Sequence, residues 1–431
     1  MKSKLALGSL LVTILFLFSQ CDKLKDLEEM GGTTFSGKFK VTIENVQAPK
    51  LFFASGVFNT PVGDNSPGNA TPGKYYEFSF YAGKGQRLSF TTMFGRSNEA
   101  FFAPDGKGLQ MWNGDTPLSG DITPMVYLWD SGTQVNEAPG MAVLHTPESV
   151  PVMLISQVND GFTWPTVASV IKVTVFYEGT TKFKVRVEDV IGAFTPLSPG
   201  TWVIHTADYP VFQPGTLDRG QGLAPQSQMG DPTKLGQYLA DNSGLVTPIS
   251  PGVWTITKAG EFPLFKKNHL DYGDGLKYIA QGDPTALAAW LATDHDLIST
   301  GVYNTPVGAS APNKLFPGDK FEFIVSSKNN NDYLSFASMF GESNDLFFAP
   351  SDKGISLWNG KNPIYGDITS QIILWDDGTE VNEYPGAGNN QPARGPGGIA
   401  ESDPIVPVYQ VNDGFTYPTI PMLIKVTITP Q

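Results

Sequence analysis

Three segments of the chain alternate strictly between apolar and polar positions: Phe39, Val41 and Ile43; Phe183, Val185 and Val187; Ile424, Val426 and Ile428. A period of two predicts β-strands with one face buried and one wet. A different spacing occurs at 283–293, where Asp283 is placed to cap a helix, Pro284 suits its first position, and Leu287 and Leu291 lie four apart. This predicts a short amphipathic helix ending near Thr293, with the chain's few helices confined to the surrounding stretch of about 191–298. Composition agrees with a strand-rich reading. The 46 glycines and 34 prolines supply turns, and the 28 phenylalanines favour strands. The expected class is all-β.

The chain repeats itself. Met93-Phe94-Gly95-Arg96-Ser97-Asn98-Glu99-Ala100-Phe101-Phe102-Ala103-Pro104 returns from Met339 to Pro350, and Leu128 to Glu137 (LWDSGTQVNE) returns as Leu374 to Glu383 (LWDDGTEVNE). QVNDGFTWPT at 157–166 recurs as QVNDGFTYPT at 410–419, and the opening strand 39–46 recurs at 183–190. Two tandem modules are expected, 36–178 and 181–430, joined directly at Glu178-Gly179-Thr180-Thr181. The second carries an extra stretch of about 191–298 that is itself duplicated. Ser198-Pro199-Gly200-Thr201-Trp202 matches Ser250-Pro251-Gly252-Val253-Trp254, and Gly230-Asp231-Pro232-Thr233 matches Gly282-Asp283-Pro284-Thr285.

Residues 1–21 form a targeting segment: Lys2 and Lys4, the apolar run Leu5 to Phe18, then Cys21, the chain's single cysteine. Phe18-Ser19-Gln20-Cys21 resembles a bacterial lipobox, so Cys21 is the candidate lipidation site and 22–35 a tether. The expected protein is exported and held at the outer membrane or cell surface through a lipid anchor. One cysteine excludes a disulfide framework within the chain and a cysteine-based metal site. The net charge of -13 argues against nucleic acid as a partner.

Candidate chemistry is sparse. His145, His205, His269 and His295 are scattered, and no nucleophile elbow or H-E-x-x-H helix is present. Asp376 with Glu383 is the carboxylate pair a glycoside hydrolase could use, but no enzyme is expected. Asp130-Ser131-Gly132 and Asp376-Asp377-Gly378 suit turns without an ion, and acidic loops suit calcium equally well. Trp112, Trp129, Trp358 and Trp375 recur in register, either as core or as a stacking platform for sugars; Trp129 and Trp375 are expected to be buried. Asp271-Tyr272-Gly273-Asp274-Gly275 is too short to be an EF-hand loop.

Together, the F-K-V-T-I-E-N-V opening strand, S-P-G-x-W, S-N-D-x-F-F-A-P, L-W-D-x-G-T-E and the closing I-K-V-T strand resemble the spondin N-terminal domain. The similarity is greatest to its bacterial lipoprotein branch. The resemblance covers nearly all of residues 36 to 430. It implies C2-like antiparallel β-sandwiches, the second with a partly helical insert, and a calcium ion held by acidic loops in an extracellular binding or adhesion protein. Carried over residue by residue, it implies Asp345 and Asp376 as calcium ligands, with Glu380 next. Glu99 and Asp130 form the weaker counterpart in the first module, where Ser131 and Gln134 stand in place of Asp377 and Glu380. Any binding end is expected on the second copy, for an extracellular protein or glycan. The alternative is a structural envelope or matrix lipoprotein without a soluble ligand.

Overall fold

The computed structural model describes residues 37–141, 144–194, 196–395 and 407–431. The targeting segment, Cys21 and the linker 22–35 lie outside the described residues. Two β-sandwiches are built almost entirely from antiparallel strands, as the composition predicts. In the first, a four-stranded sheet runs in the order Tyr75–Tyr81, Lys182–Asp189, Ile171–Gly179 and Gly120–Asp121. It packs on a seven-stranded sheet whose centre is Ala100–Ala103, Arg87–Phe94 and Leu197–His205, with Ala54–Phe58 at one edge and Tyr127–Asp130 and Met153–Leu154 towards the other. Phe78, Phe80, Val173 and Val185 from one sheet meet Phe90, Phe94, Phe102 and Ile204 from the other in a closed core.

The second sandwich repeats this plan. Its four-stranded sheet runs Lys320–Ser327, Gly37–Asn45, Ile424–Pro430 and Gly366–Asp367. Its seven-stranded sheet runs Ser299–Tyr303, Ile249–Lys258, Asp332–Phe340, Leu346–Ala349, Ile373–Asp376 and Tyr409–Gln410, with Ile355–Ser356 beside Asp332–Phe340.

The opening strands do not stay with the modules they introduce. Strand 37–45, at the head of the first copy, lies in the second sandwich, where Phe39 faces Val325 on one side and Pro430 on the other. Strand 182–189, at the head of the second copy, lies in the first, where Phe183 faces Phe80 and Tyr177. These are corresponding registers, so each strand occupies in the other module the position its twin occupies. The duplicated insert divides as well: Leu197–His205 pairs within the first sandwich and Ile249–Lys258 within the second. The first sandwich therefore spans about 52–246, and the second combines 37–47 with 247–430. This corrects the expected grouping of 36–178 against 181–430. Glu178-Gly179-Thr180-Thr181, read from sequence as the joint, is a hairpin turn inside the first sandwich, with Thr180 and Thr181 both at positive φ (46° and 65°). Two central residues of that kind match the right-handed twist of the flanking strands.

The chain crosses between sandwiches twice, at 46–53 and 242–248, and the crossings are fastened together. Leu51 and Phe52 donate backbone N–H groups to Asn242 O, and Gly244 N–H donates to Phe52 O. Gln47 Nε2 donates to Thr247 O at 2.6 Å and its Oε1 accepts from Thr247 N–H at 2.9 Å. A second contact joins the halves where Tyr384 of the second sandwich stacks on Tyr81 of the first, centroids 3.7 Å apart.

Short helices cover the outer face of each seven-stranded sheet: Leu223–Met229 and Thr233–Asp241 on the first, Leu276–Ile279 and Thr285–Leu291 on the second. The last begins one residue later than its sequence predicts, with Asp283 Oδ1 accepting from Thr285 N–H at 2.9 Å. Among the described residues one further α-helix, Ile420–Leu423, and four single-turn 3-10 helices lie outside the insert. This third layer explains the continuous apolar run at 100–103, since Phe102 joins the sandwich core while Phe101 packs under the helices. The S-P-G-x-W glycine sits where sheet backbones crowd together. A Cβ at Gly252 would lie 2.0 Å from Ala337 O, and one at Gly200 would lie 2.1 Å from Thr91 O.

Candidate metal site

Asp345 immediately precedes strand Leu346–Ala349, and Asp376 closes strand Ile373–Asp376. These strands pair with Leu346 opposite Asp376, and Asp377 N–H donates to Asp345 O at 3.2 Å. The register therefore gathers three carboxylates at one end of the second sandwich, all at most 1% exposed. Asp376 Oδ1 accepts from Gly378 N–H at 2.7 Å and Oδ2 from Asn382 Nδ2 at 2.5 Å. Asp345 Oδ2 accepts from Thr379 N–H, Thr379 Oγ1 and Glu380 N–H at 2.8, 3.1 and 2.9 Å. Asp345 Oδ1 and Asp377 Oδ1 are buried without a hydrogen-bond partner.

Electrostatics sharpen the anomaly. Burial, then the neighbouring Asp376, pushes the Asp345 carboxyl up to about 7. Burial, followed by the charges of Asp271 and Asp345, drives Asp377 well above the carboxylate range. Asp376 is raised by burial as well. Asp274 is pushed up to about 6 by burial and by Asp271. No ion pair among the described residues reaches these groups. Buried like charges are costly unless protonated or neutralised by a cation.

The first sandwich shows the same scaffold closed by neutral groups. Asp130 Oδ1 accepts from Gly132 N–H at 2.6 Å and Oδ2 from Asn136 Nδ2 at 2.6 Å, matching Asp376. Glu99, in the place of Asp345, accepts on Oε2 from Ser131 Oγ, Thr133 N–H, Thr133 Oγ1 and Gln134 N–H at 2.6–2.8 Å. Its Oε1 has no partner, and burial with the charge of Asp130 lifts it to about 7. Ser131 can donate a hydrogen bond to Glu99 where an ionised Asp377 could not. That one substitution turns a repelling neighbour into a satisfying one.

The loop Asp271–Gly275, set aside in the sequence, contributes to the acidic end. The signal was present in the inner repeat. Leu217-Asp218-Arg219-Gly220-Gln221-Gly222-Leu223 aligns with Leu270-Asp271-Tyr272-Gly273-Asp274-Gly275-Leu276, so Asp274 replaces Gln221 just as Asp377 replaces Ser131 and Glu380 replaces Gln134. Three neutral-to-acidic changes converge on one end of one sandwich. Glu380 is 7% exposed, and its Oε1 accepts from Gln281 Nε2 at 2.5 Å, which ties the site to the helical layer.

The other candidates resolve into structure. Trp129 and Trp375 are buried under the helices, with indole N–H groups donating to Pro104 O and Pro350 O at 3.2 and 3.0 Å. Trp358 is buried against Phe39, and half-buried Trp112 packs on Phe183 and donates to Ala82 O, so these four rings form no open platform. Glu383 braces its loop by accepting from Asn344 Nδ2, Asn390 N–H and Asn390 Nδ2. His205 lies 2.9 Å from Ser89 Oγ, but the pair is buried and Nδ1 of the histidine faces Ala207 O, a backbone carbonyl rather than an orienting carboxylate.

Calcium accepts carboxylates, carbonyls and water in a flexible shell. Among the described residues, no three His, Cys, Asp or Glu side chains are disposed to hold a metal by themselves, so backbone carbonyls and water would complete any shell. The unpartnered Oδ1 atoms of Asp345 and Asp377 fit such a role. No protein-family model matches the chain, and no curated protein matches it. Among the described residues no helix is long and apolar enough to cross a membrane.

Proposed function

We propose that this chain is an exported, lipid-anchored binding or adhesion protein of the spondin type, whose second sandwich is stabilised by calcium. The observation that carries the calcium reading is the buried trio Asp345, Asp376 and Asp377, in which two carboxylate oxygens lack partners and no ion pair with a cationic side chain is formed among the described residues. Asp345 and Asp377 would supply side-chain oxygens through their unpartnered Oδ1 atoms, backbone carbonyls and water would complete the shell, and Asp376, Glu380 and the Asp271 loop would add negative charge beside it. The corresponding end of the first sandwich, with Glu99 and Asp130 but with Ser131, Gln134 and Gln221, would bind the ion weakly.

The anchor reading rests on Cys21 and the apolar run before it. The first described strand starts beside the carboxyl terminus, where Gln431 N–H donates to Lys38 O at 2.8 Å. A tether attached there leaves the acidic end and the helical layers on structure remote in sequence from the anchor.

The test is thermal unfolding of the full chain in calcium and in chelator. A fragment beginning at 181 would carry strand 182–189, which belongs to the other sandwich, and would lack strand 37–45. At a hundredfold excess over its dissociation constant, a ligand specific to the folded state contributes about 2.7 kcal/mol. That corresponds to an increase in melting temperature of roughly 5–10 °C for a unit of this size. Asp377→Asn should abolish the increment while raising stability in chelator. Identical melting curves with and without calcium would overturn the metal reading.

A further inference from the structure

Beside the acidic end of the first sandwich lies a recess of about 480 Å3 lined by Ala138, Pro139, Phe162, Trp164, Pro165 and Phe194. Phe162 and Phe194 are 38% and 48% exposed, an unusual exposure for two aromatic rings sharing one hollow. Their supports are well defined. Trp164 Nε1 donates to Asp160 Oδ2 at 3.1 Å, and Arg96 lies 5.0 Å over the Phe194 ring.

The internal repeat shows what such a recess accommodates. Ala138-Pro139-Gly140 corresponds to Tyr384-Pro385-Gly386, and Phe162-Thr163-Trp164-Pro165 to Phe415-Thr416-Tyr417-Pro418. The two turns adopt one conformation: Gly140 N–H donates to Arg96 O, and Gly386 N–H donates to the equivalent Glu342 O, with both glycines at positive φ. In the second sandwich the Tyr384 ring stands edge-on to Phe415, centroids 5.6 Å apart, and its face stacks on Tyr81. That aromatic contact docks the two sandwiches. In the first sandwich the tyrosine is replaced by Ala138, and the corresponding aromatic surface faces solvent.

We propose that the recess at Phe162, Trp164 and Phe194 is a docking site for an aromatic side chain presented by a partner protein, whose ring takes the place that Tyr384 fills in the second sandwich. This deepens the binding reading, moves the binding surface to the first sandwich, and is independent of the calcium site. Ring on ring in offset or edge-on contact is the arrangement aromatic groups favour, and the proline and alanine walls exclude water without demanding hydrogen bonds. The alternative occupant is a sugar ring.

The full chain is titrated with N-acetyl-tyrosinamide and, separately, with methyl β-glucopyranoside. The readout is the Trp164 indole N–H resonance, assigned through Trp164→Phe. A saturable shift in the millimolar range is expected with the tyrosine amide. The shift should vanish in Ala138→Tyr, where the recess fills from within, and should weaken several-fold in Phe162→Ala, an exposed position that leaves the core untouched. A glucoside shift equal to or larger than that of the amide would overturn the proposal in favour of a glycan. So would no shift with either probe, or an amide shift undiminished in both variants. Repeating the titration in chelator should change nothing, so failure of the calcium reading and failure of this one are distinguishable.

Discussion

The exchange of opening strands makes a prediction that sequence proximity would reverse. Phe39 is followed within 15 residues by the first strand of the first sandwich, yet its side chain is fully buried in the core of the second, 5.6 Å from Trp358 and edge-on to it. Phe183 is likewise fully buried in the first, stacked 5.9 Å from Phe80 and edge-on to Trp112. Truncation of such a residue to alanine costs about 3–5 kcal/mol through lost burial and residual cavity. At about 1.4 kcal/mol per factor of ten, local opening should become more frequent by two orders of magnitude or more. Amide hydrogen exchange resolved by segment is the assay. In Phe39→Ala, protection should fall in 320–327 and 424–430 while 75–81 and 171–179 retain theirs. Phe183→Ala should give the reciprocal pattern. If Phe39→Ala instead loosens 75–81 and 171–179, the topology argued above is wrong.

Two further predictions concern charge. Ser131→Asp places a carboxylate beside Glu99 and removes a hydrogen bond to it; it should lower the melting temperature in chelator and create a calcium-dependent increment in the first sandwich, read by calorimetry. The pH dependence of stability should change sign with calcium. Glu99 and Asp345 are held at about 7, above their unfolded values, so without the ion their contribution is present at low pH and lost as pH rises from about 4 to 7. His205 is pushed down to about 4 by burial, so its contribution of roughly 3 kcal/mol is present above pH 6.5 and lost as pH falls towards 4. Denaturant unfolding between pH 4.5 and 6.5 should therefore show stability rising with pH in calcium and a flat or falling trend in chelator. Parallel trends in both would refute the assignment.

The sequence by itself determined the strands, the all-β class and the repeats, because burying one face imposes a period of two wherever the strand lies. Asp345, Asp376 and Glu380 were implied by the resemblance to the spondin N-terminal domain, while their acidic stretches taken alone suit plain turns as well as an ion. Asp271 and Asp274 were legible only in the inner repeat, where Asp274 replaces Gln221. Partner choice was not legible. Strands 37–45 and 182–189 carry the same alternation and fit the same register, and backbone hydrogen bonds between strands do not discriminate one neighbour from another. Local geometry decided it: the tight turn at Thr180-Thr181 folds 182–189 back onto 171–179, which fills the first sandwich and leaves the equivalent slot of the second to 37–45. The same holds for the open recess. Ala138 announces a missing ring, but only the packing of Tyr384 against Phe415 and Tyr81 shows what that ring does, because a side chain's function depends on neighbours that the linear order does not bring together.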